Sequence, residues 1–420
     1  MIKISGKSTE EAVTNAQLNP RGTGAAFLLP SFDYQPRTRL LFGLNSVERV
    51  GELARGLGAE VVLVATDPGL VTAGHADRVE HILQSCGLGV VVFDQVRENP
   101  TTRDVGKCLE VAKSAGIDTI IGLGGGSSLD TAKGCNFLLT NGGRMQDYWG
   151  VGKAGKPMLP FIAIPTTAGT GSECQSAALI ADEHTHQKMA CLDPKAAACV
   201  AILDPALTVS QPPLVTAHSG IDAVAHAVET AVTKSRNHLS LMFSRESFRL
   251  TVPAFPRVLS NPEDMEARGR MLLGAALAGT AIENSMLGAA HAAANPLTAH
   301  YGLAHGEAVG ILLPQVVRFN AKDTAAKLAY AELASAPEIA SVNGGLDSAV
   351  EALIARLESL LNGAQFPRSL TVLGVKRSKI KSMAEEAAKQ WTASFNPRPM
   401  GVEDFEQLYA AAFEPRGDGA

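Results

Sequence analysis

The sequence has no excess of positive charge: 37 Lys and Arg against 42 Asp and Glu leave a net charge of -5. Without a basic surface it is poorly suited to a phosphate backbone or to anionic lipid, so neither nucleic acid nor membrane is an expected partner. It also lacks a C-x-x-C pair. Its six cysteines (Cys86, Cys108, Cys135, Cys174, Cys191 and Cys199) are scattered, most of them in apolar segments, and read as reduced core residues of a reducing compartment. No stretch is long and uncharged enough to span a bilayer. The opening MIKISGKSTEEAVTNAQLNPRG has no apolar run, and Glu10 and Glu11 argue against a transit peptide. The expectation is a cytoplasmic protein. Internal repeats, low-complexity tracts and long single-sign charge runs are absent as well.

What is present is a globular composition, 46% apolar and 19% charged, over 420 residues. That is too long for one ordinary core and predicts two domains with a cleft between them. Residues 1–31 read as a polar extension, since periodic apolar character begins only near Arg39-Leu40-Leu41-Phe42. VVLVAT from Val61, GVVVFDQV, DTIIGL, PFIAIP and ACVAIL read as strands. The segments from Arg78 to Cys86 and from Thr102 to Ala115 read as helices between them. This alternation predicts right-handed crossovers and a parallel sheet, an α/β Rossmann-like domain over residues 32–209. After Pro205 and the Pro212-Pro213 pair the strand pattern stops. Residues 210–420 are expected to form an all-α domain, with Asn261 and Pro262 opening one helix and Gly302 closing another.

Gly122-Leu-Gly124-Gly125-Gly126-Ser127-Ser128 joins a predicted buried strand to a predicted helix. Glycines let a backbone approach a pyrophosphate closely, and the two serines add donors beside the free N–H groups of the helix start. A tight turn needing small residues would look similar, and the spacing is neither G-x-G-x-x-G nor a Walker loop. A second polar loop, Pro165-Thr166-Thr167-Ala168-Gly169-Thr170-Gly171-Ser172-Glu173, follows PFIAIP. Two such loops at strand ends face one crevice.

In SGIDAVAHAVET, Asp222 and His226 stand one helical turn apart among Ala and Val, where an ionised carboxylate needs a strong partner. Alone, the pair is better explained by an Asp that faces a helix N-terminus and a satisfied core histidine. Further donors follow: His291 in MLGAAHAAAN and His305 at the start of HGEAVGILLP. One carboxylate and three imidazoles suit Fe²⁺ or Zn²⁺ and leave positions open for a substrate oxygen. His75, His81, His184, His186, His218, His238 and His300 stand mostly in polar or loop contexts and read as surface residues.

GGGSSLDTAK, IPTTAGTGSE, GIDAVAHAVE, LGAAHAAAN and HGEAVGILLP, in that order, resemble the iron-dependent (group III) alcohol dehydrogenases, which share the dehydroquinate synthase-like fold; the resemblance runs from about Phe32 to Phe413. It implies that Asp222, His226, His291 and His305 bind the metal. It also implies that Gly124, Gly125, Gly126, Ser127 and Ser128, with Thr166, Thr167 and Thr170, line an NAD site. From the resemblance alone come Asp67 as an adenosine-ribose contact and Lys188 as a lysine near the nicotinamide side. Asn295 stands where many members have a second histidine.

The expected reaction is hydride transfer between NAD(H) and a small primary or secondary alcohol or aldehyde held on the metal. The expected metal is Fe²⁺, with Zn²⁺ as the other candidate, and a homo-oligomer is expected from the family. A polyol dehydrogenase of the glycerol type, an NAD- and metal-using cyclase of the dehydroquinate synthase type and a catalytically silent assembly subunit are the alternatives. The cyclase needs a Lys and Arg cluster for an acidic substrate, whereas the ligand-bearing segments here are rich in Ala, Gly and Leu.

Overall fold

The computed structural model describes residues 31–185, 187–336 and 344–414; the extension read at residues 1–31 lies, but for its last residue, outside them, as does His186. The strands are β1 (Arg39–Phe42), β2 (Val61–Ala65), β3 (Gly89–Phe93), β4 (Thr119–Gly124), β5 (Gly150–Val151), β6 (Phe161–Pro165), β7 (Ala177–Ala181), β8 (Lys188–Leu192) and β9 (Val200–Leu203). Six form one sheet in the order β1-β9-β6-β4-β2-β3, with every neighbouring pair parallel. The helices of this part are α1 (Val50–Gly56), α2 (Pro68–Thr72), α3 (His75–Ser85), α4 (Thr102–Ala115) and α5 (Gly126–Asn141).

Both faces of the sheet are covered, which is why its strands read as continuous apolar runs. Alternate residues enter two separate cores: Val62, Val64, Ile121, Leu123, Ile162 and Ile164 on one face, and Leu63, Ala65, Ile120, Phe161 and Ala163 on the other. A second sheet, ordered β5-β8-β7, was not read from the sequence. Its hairpin pairs Ala177–Ala181 antiparallel with Lys188–Leu192, and the Ala-rich AALIA has too little intrinsic strand preference to announce itself. Likewise β1 is a strand because β9 pairs with it.

From α6 (Pro213–Thr230) onward the described chain is helical: α7 (His238–Ser260), α8 (Met265–Ser285), α9 (Ala289–Tyr301), α10 (His305–Asn320), α11 (Thr324–Ala334), α12 (Gly345–Gly363), α13 (Ile380–Ala387) and α14 (Val402–Ala412). One large apolar core runs through these helices. Gly302 ends α9 in the left-handed conformation, as its position predicts. The expected helix start at Asn261 is corrected: Asn261 follows the last residue of α7, and Asp264 caps α8 by accepting from the Ala267 N–H at 3.0 Å. Either residue satisfies the preference for a short polar acceptor, and the end of α7 decides between them. The loop after β6 meets α8 backbone to backbone. A Cβ on Gly279 would lie 2.2 Å from the Gly171 carbonyl oxygen, so side chains are excluded from this crossing.

Candidate functional site

Asp67, the glycine loop and Thr166–Thr170 follow the C-terminal ends of β2, β4 and β6, three adjacent strands of the parallel sheet. Ligands of open α/β sheets bind at that edge. Gly125 and Gly126 pack against the second loop: a Cβ on Gly125 would lie 3.1 Å from Thr167 Cγ2, and one on Gly126 2.9 Å from Thr170 Cγ2. Gly124 has φ +144°, and a Cβ there would lie 2.4 Å from Ser128 Oγ. The two loops therefore form one surface with the start of the 16-residue α5 open at it. Ser127 Oγ accepts from the Asn99 N–H at 3.3 Å, and the Thr166 N–H donates to the Gly124 carbonyl at 3.1 Å. The shape fits a pyrophosphate, which needs close backbone approach and unpaired N–H donors.

Lys133 holds this surface in place, a role the sequence reading missed. Four acceptors surround the three N–H groups of its buried ammonium: the Ser172 carbonyl (2.6 Å), Ser172 Oγ (2.9 Å), the Gln175 carbonyl (2.9 Å) and the Ala177 carbonyl (3.0 Å). Burial lowers its pKa, and Asp130 opposes that. The signal was the one lysine of this helix, three residues after Asp130, but spacing cannot tell such a cage from a solvated chain end.

Asp67 caps α2: its Oδ1 accepts from the N–H groups of Gly69 (2.9 Å) and Leu70 (3.2 Å). Lys188, exposed, begins β8, and its charge reaches both His305 and Asp130.

Asp222 and His226 share a face of α6, while His291 comes from the first turn of α9 and His305 from the first residue of α10. The fold brings them together. Around Asp222 Oδ1 stand His291 Nε2 at 3.4 Å, His226 Nε2 at 3.5 Å and His305 Nε2 at 4.0 Å. One donor atom each from Asp222, His226 and His291 lies within 4.8 Å of the others. The His226 and His291 rings stack at 4.7 Å, and His305 lies 5.3 Å from His291. Asp222, His226 and His291 are each 4% exposed. Asp222 Oδ1 and His291 Nε2 are buried without a hydrogen-bond partner. Two orphaned donor atoms aimed at one point, beside two further imidazoles, fit a divalent cation, because buried polar groups otherwise find partners.

The electrostatics agree. Burial would raise the Asp222 pKa, but His226, His291 and His305 outweigh it and hold the carboxyl below its ordinary range. Burial pushes His226 down to about 4 and His305 down to about 3, leaving both imidazoles neutral, as ligands must be. His291 differs: burial again works downward, but Glu229 and Asp222 prevail and lift it to about 9.

Glu229 is the second residue that sequence reasoning missed. It lies 2% exposed one face-repeat beyond His226, and its carboxylate accepts from His291 Nδ1 at 2.5 Å. The signal was present as Asp222, His226 and Glu229 at i, i+4 and i+7, one stripe of α6 with Ala and Val between them. Asn295, one turn after His291, donates to Gln390 Oε1 at 3.0 Å. His218, read as a surface residue, is half-buried with its ring 5.3 Å from Phe366.

Two family models cover almost all of the described chain. The model described as iron-containing alcohol dehydrogenase matches residues 36–205, and that of the C-terminal region of the same family matches 216–413. The chain is 34% identical to alcohol dehydrogenase 4 of Schizosaccharomyces pombe, over 92% of its length and 89% of the relative's. It is 33% identical to the NAD-dependent methanol dehydrogenase of Bacillus methanolicus, over 88% of its length and 96% of that protein's. The crystal structure of a 1,3-propanediol oxidoreductase superposes with a TM-score of 0.88 at 32% identity, covering 91% of this chain and all of the other (100%).

Proposed function

This chain belongs to the iron-containing alcohol dehydrogenase family, and from that premise we propose which residues perform the hydride transfer between NAD(H) and a small alcohol or aldehyde. Asp222, His226, His291 and His305 hold one Fe²⁺; Zn²⁺ suits the same donors by the affinity order. Gly124, Gly125, Gly126, Ser127 and Ser128 receive the pyrophosphate of NAD, and Thr166, Thr167 and Thr170 close the same surface from the second loop. Asp67, whose capping bonds use only Oδ1, offers Oδ2 to the adenosine ribose, and Lys188 stands toward the nicotinamide. When bound, the ion supplies Lewis acidity and the dinucleotide accepts or gives the hydride. The protein supplies position: α6, α9 and α10 fix the donor atoms, and the sheet edge fixes the dinucleotide. We place the domain boundary at residues 209 and 210, between the segments that the two family models match.

The observation that carries this reading is the pair of unpartnered buried atoms, Asp222 Oδ1 and His291 Nε2, converging beside His226. Neither a cyclase nor a silent subunit is favoured, since the relatives are alcohol dehydrogenases and the donor set is intact. Among the described residues no helix is long and apolar enough to cross a membrane. A cytoplasmic location is the reading of the sequence and a homo-oligomer the family expectation, the latter measurable by light scattering of the purified protein. The test of function is an anaerobic preparation assayed for metal and for NADH formation with a panel of short alcohols. We expect about one ion per chain, in line with a single four-donor site, and oxidation of at least one primary alcohol. Normal metal content in a His291→Ala, His305→Ala double variant sinks the ligand assignment.

A further inference from the structure

We propose that Glu229 is a positioning residue for the metal site: its carboxylate fixes both the ring of His291 and the start of the helix that carries it, so metal affinity depends on a side chain that is not a ligand. The inference rests on the ligand reading given above.

The start of α9 lacks a cap of its own. Gly288 stands at the capping position with no side chain to offer, and Met286 two residues before it has φ +65°. The free donors of this helix are satisfied from elsewhere. Gly288 N–H donates to Glu229 Oε2 at 3.2 Å, Ala290 N–H to Glu229 Oε1 at 2.7 Å, and Ala289 N–H to Asn396 Oδ1 at 3.3 Å. Asn320 holds Asn396 in turn, its Nδ2 donating to Asn396 Oδ1 at 3.0 Å and its Oδ1 accepting from Asn396 Nδ2 at 2.7 Å. A carboxylate from α6, about sixty residues upstream, thus acts as the N-cap of α9, and its charge suits the positive end of that helix. Gly288 is required for the approach: a Cβ there would lie 3.0 Å from Glu229 Oε1 and 3.1 Å from Asn396 Oδ1.

The same carboxylate lies 2.5 Å from His291 Nδ1. A carboxylate only accepts, so the hydrogen of this bond sits on Nδ1, and the neutral ring that takes up an ion carries its lone pair on Nε2. Nε2 is the atom left without a partner, 3.4 Å from Asp222 Oδ1. Glu229 therefore selects the ring form that can ligate and aims it, while His226 and Asp222, one and two turns back on α6, supply other donors. Because one helix carries two ligands and the group that orients a third, a shift of α9 relative to α6 moves His291 away from the ion.

The substitution Glu229→Gln separates the two roles. With its oxygen in the Oε1 position the amide still accepts from the Ala290 N–H, but its NH₂ takes the place of Oε2, where it gives up the Gly288 N–H and, facing Nδ1, demands an acceptor there, which puts the ring hydrogen on Nε2 where the ion must bind. Chelator-stripped full-length protein would be titrated with Co²⁺ against a chromophoric chelator, and the melting temperature of the metal-free forms recorded. We expect metal-free Glu229→Gln to melt within about 3 °C of wild type, and its Co²⁺ affinity to fall by roughly 10- to 100-fold with a changed visible spectrum. Gly288→Ala, which crowds the carboxylate without removing it, weakens Co²⁺ binding in the same direction and stands in if the Gln variant fails to fold. Wild-type affinity and spectrum in Glu229→Gln, or in Gly288→Ala where that variant stands in, overturn the proposal alone. A wild-type chain that takes up no Co²⁺ overturns the ligand reading and this inference with it.

Discussion

The two halves of the site are built in opposite ways. The surface proposed for the dinucleotide is made largely of backbone: glycines at a sheet edge, the open start of α5, and a second loop that Lys133 ties down. The proposed metal centre is made wholly of side chains, carried on three helices and drawn together across the apolar core. A backbone site tolerates changes in side-chain chemistry as long as nothing fills the space. A side-chain site tolerates changes in shape only as long as the donor atoms stay. Substitutions should therefore damage the two halves differently, and each should leave the other intact.

The largest expected effect is at the metal centre. His226→Ala removes a donor from a buried site, and kcat/KM should fall by roughly 10³-fold or more, equivalent to at least ~4 kcal/mol. Metal analysis should show the ion lost, and dinucleotide binding measured by fluorescence should be unchanged. Loss of NAD binding as well would dissolve the distinction between the halves.

Second is the pH dependence of metal uptake, which separates the ligands from one another. His291 is lifted to about 9 in the ion-free protein, so below that pH a proton must leave before Nε2 can bind. Apparent affinity should drop about tenfold per pH unit below 9, hence about 100-fold between pH 9 and pH 7. His226 and His305, pushed down to about 4 and about 3, are already neutral in that window and add no slope. Calorimetry in buffers of different ionisation enthalpy should count about one released proton per ion at pH 7; a count of zero contradicts the assignment.

A smaller effect belongs to the loop. A Cβ at residue 126 would press on Thr170 Cγ2 at 2.9 Å, so Gly126→Val should raise the KM for NAD on the order of 10- to 100-fold by keeping the pyrophosphate from the backbone. Metal content should stay at the wild-type level, and equal losses of both would argue for simple unfolding.

The smallest effect tests Asp67. Replacing it with Gly removes an acceptor and a charge that repels a 2′-phosphate, so the preference for NAD over NADP should shrink by roughly tenfold, about 1.4 kcal/mol. Stability should change little, because Gly at an N-cap costs only a few tenths of a kcal/mol relative to Asp. An unchanged ratio of the two kcat/KM values makes Asp67 a capping residue and nothing more.

The sequence by itself determined whatever repeats or stays local. Apolar runs in VVLVA and FIAIP specified a sheet buried on both faces, because both sets of alternate residues are apolar. The i, i+4 spacing put Asp222 and His226 on one face of α6, and the glycines marked the tight turn from a strand end into α5. What only the tertiary structure decided is which side chain meets which across distant segments: His291 and His305 joining Asp222, Lys133 caged by Ser172 through Ala177, β8 returning antiparallel on β7, and Glu229 capping a helix that begins some sixty residues later. Helical and strand periods express the geometry of one segment. A lone charged residue in an apolar helix looks the same whether it ends in solvent or in a buried set of acceptors. Packing chooses between these, because an unpaired charge cannot remain in the core.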